Sequence, residues 1–115
     1  MKLEMNVYDT ANKLAQELKN SEEYVNYKMA KETLNLNIEL KKKIQEFEAA
    51  RYDAQITAMQ TGKNDEEKTK KMQQLYVELY QNPDAAKFFE AETKFNIILS
   101  DVNKIIGDAV MDVLK

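Results

Sequence analysis

Apolar residues recur every three or four positions along most of this chain, the period of helices that turn one face inward. Val7, Ala11, Leu14 and Leu18 follow at spacings of four, three and four and predict a first helix over about residues 6–19. Asn20 and Ser21 break the pattern. Ser21 is placed to accept a hydrogen bond from the free N–H groups of a second helix, whose first turn carries Glu22 and Glu23 against the helix dipole. That helix is expected to reach about Thr33 with a thin apolar face of Tyr24, Val25, Met29 and Leu34.

A third start is expected at Asn35 or Asn37, since Asn37-Ile38-Glu39 has the form of an N-cap followed by an acid. From there the pattern runs to Thr61 without a breaker. Gly62 suits a left-handed helix end and Asp65 suits the next cap, so Thr61 to Asp65 forms the tip of an antiparallel helical hairpin. The descending helix, from Glu66 to about Gln81, is expected to bury Met72, Leu75, Tyr76 and Leu79 against Phe47, Tyr52, Ile56 and Met59.

Asn82-Pro83-Asp84 opens the last helix: Asn caps, Pro takes the first position, where no N–H is needed, and Asp complements the dipole. Ala85, Phe88, Glu92, Phe95, Leu99, Val102, Ile106, Ala109 and Val113 then alternate three and four apart, with Ile98, Ile105 and Val110 widening the stripe. A helix of that extent would be roughly 50 Å long, against about 34 Å for the diameter of a compact domain of this size. It is therefore expected to outrun its own domain, with Gly107 as the place where it bends or weakens after Ile106.

Composition supports this reading. With 2 Gly and 1 Pro in 115 residues, 43% hydrophobic and 32% charged, the chain is expected to form a single all-helical domain over residues 1–115. The fold class is all-α: an elongated antiparallel helical bundle with a long central hairpin and a long C-terminal helix. The chain has no histidine and no cysteine, hence no imidazole base, no thiol nucleophile and no soft metal ligand. No catalytic, cofactor-binding or metal residue is assigned, no cofactor is expected, and the protein is read as not an enzyme.

Net charge is −3, with 17 basic and 20 acidic residues interspersed, so a phosphate backbone is a poor direct partner. Residues 1–6 lack the apolar core of a signal peptide, and no stretch has the roughly 20 apolar residues of a spanning helix. A cytoplasmic protein without membrane contact is expected.

The remaining candidates for chemistry each have a plainer reading. Glu46/Glu48 and Glu90/Glu92 are carboxylates that could in principle serve as an acid–base pair or a di-metal site, but no histidines accompany them and they are read as solvated helix faces. Lys41 to Lys43 and Lys68, Lys70 and Lys71 are flanked by acids and are read the same way. The tyrosines suit core or interface packing, since tyrosine buries a ring and keeps its hydroxyl wet. Asn96 and Asn103, seven apart beside the last stripe, are either exposed or buried polar residues that set the register of a helix pair.

Taken together, Asn6-Val7-Tyr8-Asp9-Thr10-Ala11, Ser21-Glu22-Glu23-Tyr24, Asn37 to Ile44 through Phe47, and Asn82-Pro83 leading to Phe95-Asn96 resemble the YlbF/YmcA family of small helical bacterial proteins, its YheA branch most. The chain departs from the family's habit at Ile38, where a proline usually follows the capping Asn. The resemblance implies a cytoplasmic, self-associating helical protein without enzymatic activity. It also implies adaptor relatives: YlbF and YmcA join YaaT in a complex that modulates the endoribonuclease RNase Y and affects competence, biofilm formation and sporulation. That complex carries iron–sulfur clusters through cysteines, a role that does not transfer to a chain without them.

The function expected is that of a non-catalytic, self-associating adaptor or regulatory protein, linked through the resemblance to RNA processing and developmental regulation. Its partners are itself, as a homodimer or higher oligomer, and a further protein. Phe88, Phe95, Leu99, Val102 and Ile106 are the expected self-association seam, and Tyr76 and Tyr80 the expected partner contacts, with internal hairpin packing as their other reading. The alternative function is a direct RNA-binding accessory protein that uses the lysines near the hairpin.

Overall fold

Five helices make up the computed structural model, which describes residues 6–114: α1 (Val7–Lys19), α2 (Glu22–Asn35), α3 (Ile38–Thr61), α4 (Glu66–Tyr80) and α5 (Pro83–Leu114). No strand occurs among the described residues, so the fold is the all-α bundle that the sequence pattern predicts. The first five residues, on which the reading of no signal peptide rests, lie outside the described residues.

The expected caps at Ser21, Asn37 and Asp65 form, and Asn6, for which no cap was expected, caps the first helix in the same way. Asn6 Oδ1 accepts from the Tyr8 N–H at 2.8 Å, Ser21 Oγ from Tyr24 at 3.2 Å, Asn37 Oδ1 from Leu40 at 3.0 Å and Asp65 Oδ1 from Lys68 at 3.1 Å. These oxygens satisfy backbone donors that a first helical turn leaves without a carbonyl. At the hairpin tip Gly62 takes φ 74°, and its N–H donates to the Ala58 carbonyl at 2.8 Å. Two boundaries differ from expectation. α2 continues past Thr33 to Asn35, and α5 runs through Gly107 to Leu114 without a break. A single exposed glycine weakens a helix by only about 1 kcal/mol, too little to end one of this length.

The chain divides into two compact units. The hairpin unit, from Ala30 to Glu90, takes in the end of α2, all of α3 and α4, and the start of α5. The terminal unit combines the chain up to Met29 with the segment from Ala91 onward. Among the described residues, all eight buried apolar ones belong to the hairpin unit: Leu34, Leu40, Ile44, Phe47, Leu79, Ala85, Phe88 and Phe89. Among the described residues no buried side chain is polar or charged, so this core is wholly apolar.

Within the hairpin, Phe47 of α3 is buried and Ala50, Ala54, Ile56 and Thr57 are half-buried. Of the larger residues expected to pack, Phe47 and Ile56 therefore do so, whereas Tyr52 is 65% and Met59 81% exposed. Lys68 of α4 ties the two helices together, its Nζ donating to Asp53 Oδ1 at 3.2 Å and to Thr57 Oγ1 at 2.7 Å. On α4 only Leu79 is fully buried; Met72 and Leu75 are half-buried, and Tyr76 keeps an exposed edge.

Candidate functional site

Phe89 is the hub of an aromatic cluster in the hairpin unit. Its ring centroid lies 4.9 Å from Tyr76, 5.3 Å from Phe47, 5.7 Å from Phe88 and 6.4 Å from Tyr80, with the Tyr80 ring nearly parallel at 4°. Tyr76 and Tyr80, one turn apart on α4, pack on each other at 5.6 Å. The Arg51 guanidinium sits 5.3 Å from the Phe47 centroid, within the range of a cation–π contact. The two tyrosines thus rest on the core with one side and meet solvent with the other, at 39% and 40% exposure. The packed side of each ring is the internal hairpin packing that was their other reading. The carboxylate of Glu90 pushes the Tyr80 phenol above its ordinary range, with burial and Tyr76 adding in the same direction.

Phe89 escapes a sequence reading that assigns one inward residue per helical turn, because it stands next to Phe88 and outside the regular stripe. Both rings are needed where α5 is surrounded on two sides, and the adjacent pair Phe88-Phe89 is the signal of that enclosure.

In the terminal unit, Phe95 packs edge-on to Tyr24 at 5.6 Å and stacks with Tyr27 at 5.8 Å. The Tyr27 hydroxyl donates to Glu92 Oε2 at 3.2 Å, which gives the one polar residue of the α5 stripe a partner within its own unit. The five residues of the expected self-association seam separate here. Phe88 is 4% exposed and enclosed by the hairpin core, so its surface is closed to a second copy. Phe95 and Val102 are half-buried, while Leu99 and Ile106 are open. Asn96 and Asn103 are both exposed.

The groups weighed for chemistry do not converge. Glu46, Glu48 and Glu90 are exposed, and no cluster of three or more carboxylates suited to a metal occurs among the described residues. Beside the hairpin, Glu46, Asp53, Lys68, Lys71 and Leu75 line an open groove of about 400 Å³. Its charges are of both signs, and Lys68 is already bound to Asp53. Lys43, from the other lysine run, lies 3.6 Å from Glu78. Among the described residues no helix is long and apolar enough to cross a membrane.

The profile of the family described as "Control of competence regulator ComK, YlbF/YmcA" matches residues 7–111, from the start of α1 into the last turn of α5. The chain belongs to the YlbF/YmcA family. A UPF0342 protein of Desulfitobacterium hafniense is 34% identical over 110 residues, which cover 96% of this chain and 89% of that one. A UPF0342 protein of Clostridium novyi is 32% identical over 108 residues, covering 94% and 95%. Among solved structures, Bacillus subtilis RicA, crystallised in complex with RicF, matches with a TM-score of 0.60 and 27% identity over 95% of this chain and 96% of RicA. This YlbF/YmcA member therefore has regulatory kin, and a structural neighbour that is held by another protein.

Proposed function

We propose that the protein is a non-catalytic, self-associating helical adaptor that acts by holding another protein, in the neighbourhood of RNA processing and developmental regulation. The observation that carries this reading is the Tyr76–Tyr80 face. Two rings fixed from below by Phe89 and open above offer contact area with little side-chain freedom left to lose. The solved complex of RicA with RicF supports a protein as the partner class. The link to RNA processing rests on the family resemblance. The same chain offers no side chain that ordinarily titrates near neutrality for acid–base work.

Co-purification from native cells tests the proposal. A partner should be recovered reproducibly with the wild type and lost with Tyr76→Ala or Tyr80→Ala variants of unchanged helicity. Recovery unaffected by either substitution would discard this face, and no reproducible partner would discard the adaptor reading. RNA binding whose affinity falls steeply with salt would instead favour the lysines near the hairpin.

A further inference from the structure

Arg51 is the only arginine in the chain, and the hairpin unit already sets it against an aromatic ring. Its guanidinium carbon lies 5.3 Å from the Phe47 centroid, and Glu48 Oε2 lies 4.0 Å from its Nη2. A planar cation therefore rests on a ring with a carboxylate beside it. That combination suits a guanidinium better than an ammonium, because the planar fork stacks and donates at its edge at the same time.

Tyr80 and Glu90 repeat the ring and the carboxylate elsewhere in the same aromatic cluster. The Tyr80 ring lies nearly parallel to Phe89 on its packed side and is 40% exposed, with Tyr76 beside it. At about 100° of rotation per residue, the order round α5 is Phe88, Ala85, Phe89, Ala86, Glu90. Burial falls off along that arc: the first three are buried, Ala86 is half-buried and Glu90 is exposed. Because both tyrosines pack on Phe89, Glu90 stands at the rim on their side of the helix. Its carboxylate is also the strongest influence on the Tyr80 phenol. Among the described residues no cation forms an ion pair with Glu90, Lys87 one turn before it included.

We propose that the Tyr76–Tyr80 face takes an arginine side chain of its partner, stacked on Tyr80 and ion-paired to Glu90. The inference rests on the partner reading of that face and names the side chain it selects. The partner is a different protein, since a second copy would bring only Arg51, which is already held by Phe47 and Glu48.

The test uses the peptide acetyl-Gly-Arg-Gly amide, titrated into the full chain at neutral pH and constant ionic strength. The same peptide with citrulline in place of arginine keeps the shape and loses the charge. Ring NMR signals of Tyr80, assigned by their loss in Tyr80→Phe, report the contact. The arginine peptide should bind about fivefold tighter than the citrulline one, the gain of an exposed cation–π contact with a surface ion pair. Glu90 is exposed, so Glu90→Gln should fold, with circular dichroism as the check, and it should cut that preference at least about twofold. Glu67→Gln makes the same charge change about 20 Å away along α4 and should leave the preference as it is. Equal binding of the two peptides, or a preference that Glu90→Gln leaves unchanged, would overturn the inference. The co-purification separates it from the reading beneath. A partner lost with Tyr80→Ala but kept at wild-type yield with Glu90→Gln would overturn the arginine contact and leave the adaptor face standing. No reproducible partner would overturn both.

Discussion

Asn82 performs two tasks with one oxygen. Its Oδ1 accepts from the Asp84 N–H at 2.9 Å and the Ala85 N–H at 3.3 Å, and Pro83 between them has no N–H to satisfy. Ala85, the next residue, is completely buried, so this cap also fixes where α5 enters the core. Asn82→Ala should cost about 1 kcal/mol in urea unfolding, the usual loss for an N-cap. Tyr80 gives a second test at this scale. Because Glu90 raises its pKa, Tyr80 should remain protonated to higher pH than a free tyrosine when phenolate absorbance is followed in alkali. The sign follows from linkage: a raised native pKa gives stability that is full below the unfolded value and is lost as pH climbs through the native one. Glu90→Gln should bring the late phenol forward. A titration unchanged by that substitution would remove Glu90 as the cause.

The two glycines make opposite predictions at the level of the element. Gly62 ends α3 at φ 74°, a conformation in which a side chain costs about 1–2 kcal/mol, so Gly62→Ala should lower stability by that amount. Gly107 sits within α5 with nothing within 4 Å of where a Cβ would point, so Gly107→Ala should raise helix stability by about 1 kcal/mol. Thermal unfolding of the two variants beside the wild type would show the opposite shifts. Helix ends were legible in the sequence because they depend on a cap oxygen or one permissive backbone, both local. The inward face of α3 was legible only in part: Phe47 and Ile56 pack as expected, but Tyr52 and Met59, which attract attention by size, stay exposed while the smaller Ala50, Ala54 and Thr57 are half-buried. The same limit applied to the candidate site. Tyr76 and Tyr80 could be named from sequence, whereas Phe89 beneath them needed the packing of three helices to appear.

For the whole molecule, the placement of burial is the governing fact. With every fully buried residue between Leu34 and Phe89, stability should respond to changes in the hairpin unit and scarcely to changes on exposed faces. Phe89→Ala removes the ring that Phe47, Tyr76, Tyr80 and Phe88 share, and should cost about 3–5 kcal/mol, a large part of the 5–15 kcal/mol that small domains possess. Tyr52→Ala should stay within about 0.5 kcal/mol of wild type. Denaturant curves for the two variants would test this division, and a Tyr52→Ala loss as large as that of Phe89→Ala would contradict it.

The wholly apolar core has a consequence for how the protein senses its surroundings. A chain without histidine, whose buried side chains carry no ionisable group among the described residues, has an interior deaf to protons near neutrality. Its melting temperature should hold nearly constant between about pH 6 and pH 8, since no ordinary side chain of its composition changes charge there. Acid stress would then leave the scaffold intact. A response to pH near neutrality would have to be written on the surfaces that meet other molecules, where carboxylates and lysines are plentiful, and it would be read as a change of company rather than a loss of shape.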